Sequence, residues 1–136
     1  MTIVTDAGFG SDDWTHGFAT LEQLPANDAR IGIDLASDAD VTTLHNLLGD
    51  ISMIRVDFPS FADGRGFTIA TMLRQLGYEG RLRAKGHVIA DQYAMARRSG
   101  FDEVEIDDDL AARQPEDQWQ ARANWKAHDY QNRLRA

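Results

Sequence analysis

The sequence predicts an α/β fold, in which βαβ units form a mainly parallel sheet of about four strands. Four short segments with strand character alternate with stretches of helical periodicity, which is typical of such units. The strand segments are residues 30–35, 53–58, 81–85 and 103–106. Gly49, Gly77 and Gly100 follow the three helical stretches, where glycine commonly ends a helix. The sheet is either open or a partial barrel, because four units cannot close an eight-stranded barrel.

The beginnings and ends of the first elements have local signals. An acidic segment, residues 37–40, precedes Val41, Leu44 and Leu48, whose spacing predicts a helix with a capped start. The second strand ends before Pro59, which has no amide hydrogen to donate to a neighbouring strand. These signals fix the first βαβ unit.

The later elements follow the same pattern. Phe67, Ala70 and Leu73 form the apolar stripe of the second predicted helix, and the third helix covers about residues 88–99. The acidic run at residues 107–109 would begin a further helix by complementing its dipole. We therefore expect this run to cap a helix rather than to form a site.

We expect one domain with three parts. They are residues 1–29, irregular or a small strand or hairpin; residues 30–108, the βαβ core; and residues 109–136, a C-terminal helical segment. Trp119, Trp125 and Tyr130 are spaced so that a helix would place them against the domain, so we expect a C-terminal helix to dock on it. A homodimer would bury a free edge of the sheet.

Composition excludes several classes of function. The formal net charge is −8, which opposes binding to a nucleic-acid backbone. The chain has no cysteine, so disulfides, thiolate nucleophiles and cysteine-ligated clusters are excluded. The four histidines lack metal-ligand spacing, and no flavin or nicotinamide fingerprint is present, so we expect neither a metal nor a cofactor. With no signal-peptide pattern and no membrane-length apolar run, we expect a cytoplasmic protein.

The candidate ligand site lies where the parallel strands end, since α/β proteins bind ligands beyond the carboxyl ends of their strands. Asp34 and Asp57 are at such ends. Arg81, Arg83 and Lys85 alternate along the third strand and therefore form a cationic stripe on one face, suited to a small oxyanion. The alternative is an edge strand whose polar face is solvated or paired with acidic neighbours.

Further candidates come from the loops beside these strands. Asp63 and Arg65 flank a turn, where Asp63 could instead cap the following helix. Asp91 and Gln92 lie in the first turn of the third helix, and capping competes there with ligand contact. Asp91 and His87 are the candidate catalytic acid/base groups, while Asp63, Arg65, Arg83, Lys85 and Gln92 are the candidate ligand-binding residues.

The motifs around these candidates resemble a bacterial family known as domain of unknown function 934. The resemblance is first recognised in the motif Phe-Pro-Ser-Phe-Ala-Asp-Gly-Arg, residues 58–65. It covers residues 29–108, with looser matches at Asp13-Trp14 and Tyr130-Gln131. It continues through Gly-Tyr-Glu-Gly at 77–80, Leu-Arg-Ala at 82–84, Asp-Gln at 91–92 and Gly-Phe-Asp at 100–102.

The resemblance implies a role in sulfur assimilation, because such proteins accompany assimilatory sulfite reductase and are often described as oxidoreductases of sulfite reduction. Since the chain has no evident electron carrier, we expect an accessory protein that binds a small oxyanion or a partner such as sulfite reductase. One alternative is a small enzyme that acts on an anionic substrate by acid/base chemistry. Another is a purely structural partner that docks through its acidic surface.

Overall fold

The computed structural model describes residues 1–23 and 32–126, and these residues form one mixed sheet of seven strands. The strands are β1 (Thr2–Thr5), β2 (Gly8–Gly10), β3 (Phe18–Thr20), β4 (Gly32–Leu35), β5 (Met53–Phe58), β6 (Arg81–Gly86) and β7 (Glu103–Ile106). Their order across the sheet is β2-β1-β7-β6-β5-β4-β3. The predicted α/β class is confirmed, whereas a mainly parallel sheet of about four strands was wrong.

The difference lies in the first twenty residues. β4 to β7 correspond to the four predicted strands and pair in parallel, as β3 and β4 also do. β1, however, pairs antiparallel with both β2 and β7, which makes the sheet mixed. β1, β2 and β3 are only three or four residues long. β2 and β3 have too few residues to show an alternation, and β1 buries two successive residues, Ile3 and Val4, so local patterns do not predict these strands.

Four α-helices accompany the sheet in the described residues. They are α1 (Arg65–Gln75), α2 (Tyr93–Ser99), α3 (Asp108–Arg113) and α4 (Glu116–Gln120). None of the helices in this part of the chain is long and apolar enough to cross a membrane. Gly77 and Gly100 follow α1 and α2 with φ of 99° and 118°, so both predicted helix ends are confirmed. Asp107 caps α3 by accepting a hydrogen bond from the Leu110 amide at 2.8 Å.

The helix predicted after β4 was wrong, because the chain forms 3₁₀ turns there, Val41–Leu44 and Leu48–Asp50. Its first three residues, Val41, Thr42 and Thr43, are β-branched, which lowers helix propensity. The Asp40 carboxylate accepts hydrogen bonds from the amide and hydroxyl of Thr42, and the Thr43 hydroxyl donates to the Asp40 carbonyl. These local bonds compete with a regular α-helix.

The core lies on one face of the sheet, beneath the helices. β4, β5, β6 and β7 are neighbours in chain order, and right-handed crossovers place their connections on the same side. On that face Ile33, Ile54, Val56, Leu82 and Val104 are buried, in one cluster with the apolar sides of α1 and α2. The opposite face therefore has no helix layer from these connections.

The C-terminal part packs against the domain through Trp119, which is 1% exposed. Its ring lies edge-on to Tyr93, with the centroids 6.1 Å apart, and its indole nitrogen donates to the Gln114 carbonyl at 2.9 Å. Trp125 is less buried and donates to Asp6 at 3.3 Å. The expected packing of Tyr130 lies outside the described residues.

Residues 11–17, which we call the crossing segment, join β2 at one edge of the sheet to β3 at the other. Six inter-strand spacings of about 4.8 Å each amount to roughly 29 Å along a flat sheet. The eight steps from Gly10 to Phe18 reach about the same distance only when fully extended. Because the segment bends at His16, the sheet must be concave on the face that it crosses.

Candidate functional site

The concave face carries charged side chains at alternate positions of the central strands. The strand register places Asp34 opposite Arg55, Arg55 opposite Arg83, and Arg83 opposite Glu103. Two residues further along each strand, Asp57 lies opposite Lys85, and Lys85 lies opposite Glu105. The period of two that buries apolar residues under the helices thus collects the charges on the other face.

Arg83 is at the centre of this face and is completely buried. Its Nε donates to Glu103 at 2.8 Å, and its two terminal nitrogens donate to Glu105 at 2.7 Å and Asp12 at 3.0 Å. β6 lies between β5 and β7, so the alternative of an edge strand was wrong. The other part of that alternative, pairing with acidic neighbours, is what the structure shows for Arg83.

Arg81 and Arg55 extend the network on either side. Arg81 donates to Glu103 and to Asp13 of the crossing segment. Arg55 donates to the two carboxylate oxygens of Asp34 at 2.6 and 2.8 Å, and its guanidinium lies 3.7 Å from the ring centroid of Phe18. Both arginines are therefore held by carboxylates of the protein itself.

The crossing segment contributes two carboxylates with lowered pKa values. Partial burial acts to raise the pKa of Asp12, but hydrogen bonds from Arg83 and from the Trp14 amide outweigh it and the net shift is downward. The hydrogen bond from Arg81 lowers the pKa of Asp13. Ionised Asp12 and Asp13 are thus favoured in the folded state.

These shifts predict a loss of stability in acid. Because the pKa values of Asp12 and Asp13 in the folded protein lie below the ordinary value of 3.8, the unfolded chain takes up protons first as the pH falls. Their contribution is present above about pH 4 and disappears as the pH falls through the folded values. We expect the double variant Asp12→Asn, Asp13→Asn to be less stable at neutral pH and less sensitive to acid.

Urea unfolding midpoints of both proteins, measured from neutral pH to about pH 3, test this expectation. Parallel midpoint curves for the wild type and the double variant would show that Asp12 and Asp13 contribute nothing to the acid response.

A cavity of about 350 Å³ opens where the concave face meets the carboxyl ends of β3 to β6. Its charged lining consists of Glu22, Asp34, Asp38, Asp57 and Lys85. Lys85 is half-buried, and within residues 1–23 and 32–126 no carboxylate oxygen lies within 4 Å of its ammonium nitrogen. Of the three cations in the predicted stripe, Lys85 is the one that faces this cavity.

Asp63 and Arg65 form a separate group at the start of α1. Arg65 donates to the two oxygens of Asp63 at 3.0 and 2.8 Å and to the Ser37 hydroxyl at 2.9 Å. The side-chain hydrogen bond from Arg65 is the main reason that the pKa of Asp63 lies far below its usual range. The N-cap of α1 is Gly64, and Asp63 accepts from the Arg65 amide. Asp63 thus orients Arg65.

The remaining candidates lie beyond β6. His87 places its Nδ1 3.1 Å from the Phe58 carbonyl and its ring edge-on to Phe61, and the Gln92 amide donates to the Phe61 carbonyl. Asp91 is 72% exposed and accepts from Arg122 at 2.8 Å. The predicted site residues therefore lie in several contact groups, and Lys85 alone among them lines the cavity.

Sequence reasoning named Asp34 and Asp57 as strand ends but did not select them as site residues. Glu22 and Asp38 were missed, as were the carboxylate partners of the buried Arg83. The position of Asp57 opposite Lys85 follows from strand alternation and could have been found. The place of Glu22 depends on how β3 joins the sheet, for which the sequence carries no periodic signal.

Comparison with protein-family models gives one match, to the family described as bacterial protein of unknown function (DUF934), over residues 32–136. This match confirms the resemblance and extends it toward the C-terminus. Comparisons with curated proteins and with solved structures gave no match. The matched region contains β4 to β7 and Lys85, whereas the crossing segment precedes it.

Proposed function

Because the chain belongs to the DUF934 family of bacterial proteins of unknown function, we propose a role from its geometry: an accessory protein that binds a small ligand through an anionic oxygen group at Lys85. The resemblance supports a link between this role and assimilatory sulfite reduction, and we propose sulfite reductase or another enzyme of that process as the partner. The protein would be cytoplasmic, as the sequence predicts.

The observation that carries this proposal is that the half-buried residue Lys85 lines a cavity. The cavity lies at the carboxyl ends of parallel strands, where α/β sheets bind ligands. Arg81 and Arg83 already bind carboxylates of the protein, so an incoming anion would have to displace these carboxylates. Lys85 requires no such displacement within the described residues.

An accessory role is favoured by the sequence. It contains no cysteine and no nicotinamide or flavin fingerprint, so an electron for sulfite reduction would have to come from another protein. Ligand binding needs only the cavity and its lining.

A small enzyme is the second candidate, and the position of Asp57 favours it. Asp57 lies opposite Lys85 in the strand register and lines the same cavity, so a bound substrate would meet both a carboxylate and an ammonium group. The predicted acid/base candidates, Asp91 and His87, do not line this cavity. An activity that Asp57→Asn abolishes and Asp91→Asn does not would select the enzyme.

The binding proposal predicts that anions stabilise the folded protein. Sulfite, sulfate and phosphate at saturating concentration should raise the Tm by several degrees, because a ligand of the native state shifts the unfolding equilibrium. The Lys85→Met variant should lose this response. The link to sulfite reduction further predicts that sulfite binds more tightly than phosphate.

The chain has only two lysines, Lys85 and Lys126, so Lys126→Met provides a matched control. Lys126 is exposed and does not line the cavity. This control should keep the anion response of the wild type. An equal loss in both variants would refute binding at Lys85, and no anion response in the wild type would refute a free oxyanion as its ligand.

A further inference from the structure

The cavity has an uneven charge balance, which limits the chemistry of its ligand. Asp34 is already paired with Arg55 through two hydrogen bonds. Glu22, Asp38 and Asp57 are exposed, and no arginine or lysine nitrogen of the described residues lies within 4 Å of their carboxylates. Among the described residues of the lining, three carboxylates without such a partner therefore accompany one ammonium group. A bare inorganic anion bound at Lys85 would be repelled by all three.

The size and apolar lining of the cavity point in the same direction. Its volume of about 350 Å³ lies within the range of sites for small organic ligands. A tetrahedral oxyanion would fill only a fraction of this space. Leu21, Ala36 and Ala39 also line the cavity and can cover a short carbon chain.

The arrangement of Lys85 and Asp57 sets the spacing of the ligand's charges. The two residues are register partners on neighbouring parallel strands, whose backbones lie about 4.8 Å apart across the sheet. They nonetheless form no ion pair within 4 Å. A ligand with a carboxylate and an ammonium attached to the same carbon could bind Lys85 with one group and Asp57 with the other.

We infer that the cavity binds a small amino-acid-like zwitterion, whose anionic group contacts Lys85 and whose protonated amine contacts Asp57. The inference deepens the proposed function and rests on it, since both require Lys85 to bind an anionic group. It adds a second charged contact, so that a free oxyanion makes only one of the two contacts and binds more weakly than the complete ligand.

Three probes of similar size separate the two contacts. L-alanine carries both charges, propionate carries only the anion, and isopropylamine carries only the cation. Dissociation constants from backbone-amide NMR titrations at matched ionic strength should show L-alanine binding about tenfold more tightly than either half. Lys85→Met should weaken the binding of L-alanine and propionate, while Asp57→Asn should weaken the binding of L-alanine and isopropylamine.

Lys126→Met and Asp50→Asn are the matched controls. Asp50 precedes β5 at the amino ends of the strands, away from the cavity, and both controls should bind like the wild type. Propionate or sulfate binding at Lys85 as tightly as L-alanine would refute the zwitterion while the proposed function stands. If neither L-alanine nor any anion perturbs the amides beside Lys85, both fail.

Discussion

Replacement of Arg83 with alanine is expected to lower the free energy of unfolding by about 3–5 kcal/mol, as for other buried ion pairs that lose one partner. Arg83 is 0% exposed and binds Glu103, Glu105 and Asp12. Without its guanidinium, Glu103 and Glu105 remain buried with fewer donors and stronger mutual repulsion. The loss should exceed that of an ordinary surface substitution severalfold.

Urea unfolding followed by circular dichroism measures this loss, with Arg98→Ala as the control. Arg98 is exposed on α2, and its side chain has no carboxylate within 4 Å in the described residues, so its removal should change stability by less than about 0.5 kcal/mol. Arg83→Ala as stable as Arg98→Ala would mean that Arg83 is not buried among carboxylates. An anion response that survives in Arg83→Ala would agree with Lys85 as the binding residue.

The second large effect is expected at Trp119, which fixes α4 to the domain. Truncation of this buried indole to alanine should lower the free energy of unfolding by about 3–5 kcal/mol, because it removes apolar contact and leaves a cavity beside Tyr93. The Gln114 carbonyl would also lose its indole donor. The midpoint of urea unfolding measures the change.

Trp125→Ala is the matched control, because it removes the same side chain from a less buried position. Trp125 contacts Asp6 through its indole nitrogen and lies 4.8 Å from the Arg97 guanidinium, so a loss of about 1 kcal/mol is expected. A larger loss for Trp125 than for Trp119 would contradict the packing of α4.

The sequence was most informative about the central strands and least informative about the N-terminal region. β4 to β7 have apolar residues at alternate positions, and glycine ends α1 and α2, so local patterns were sufficient. β1 depends on a partner far along the chain, and β3 has only three residues. The cationic stripe was recognised correctly as a pattern. The carboxylates that pair with its arginines, among them Asp12, Glu103 and Glu105, belong to other segments of the chain. Only tertiary structure shows that Arg83 is paired with three carboxylates and that Lys85 has no such partner among the described residues.

The pairing of β1 with β7 has a consequence for how the chain folds. It joins residues 2–4 to residues 104–106, so during synthesis β1 leaves the ribosome well before the strand with which it pairs. Such a high sequence separation makes folding slow, because a long loop must close before the pairing stabilises anything. Until then β1 and the crossing segment have no complete sheet to pack on, and nascent or truncated chains are the forms most exposed to aggregation.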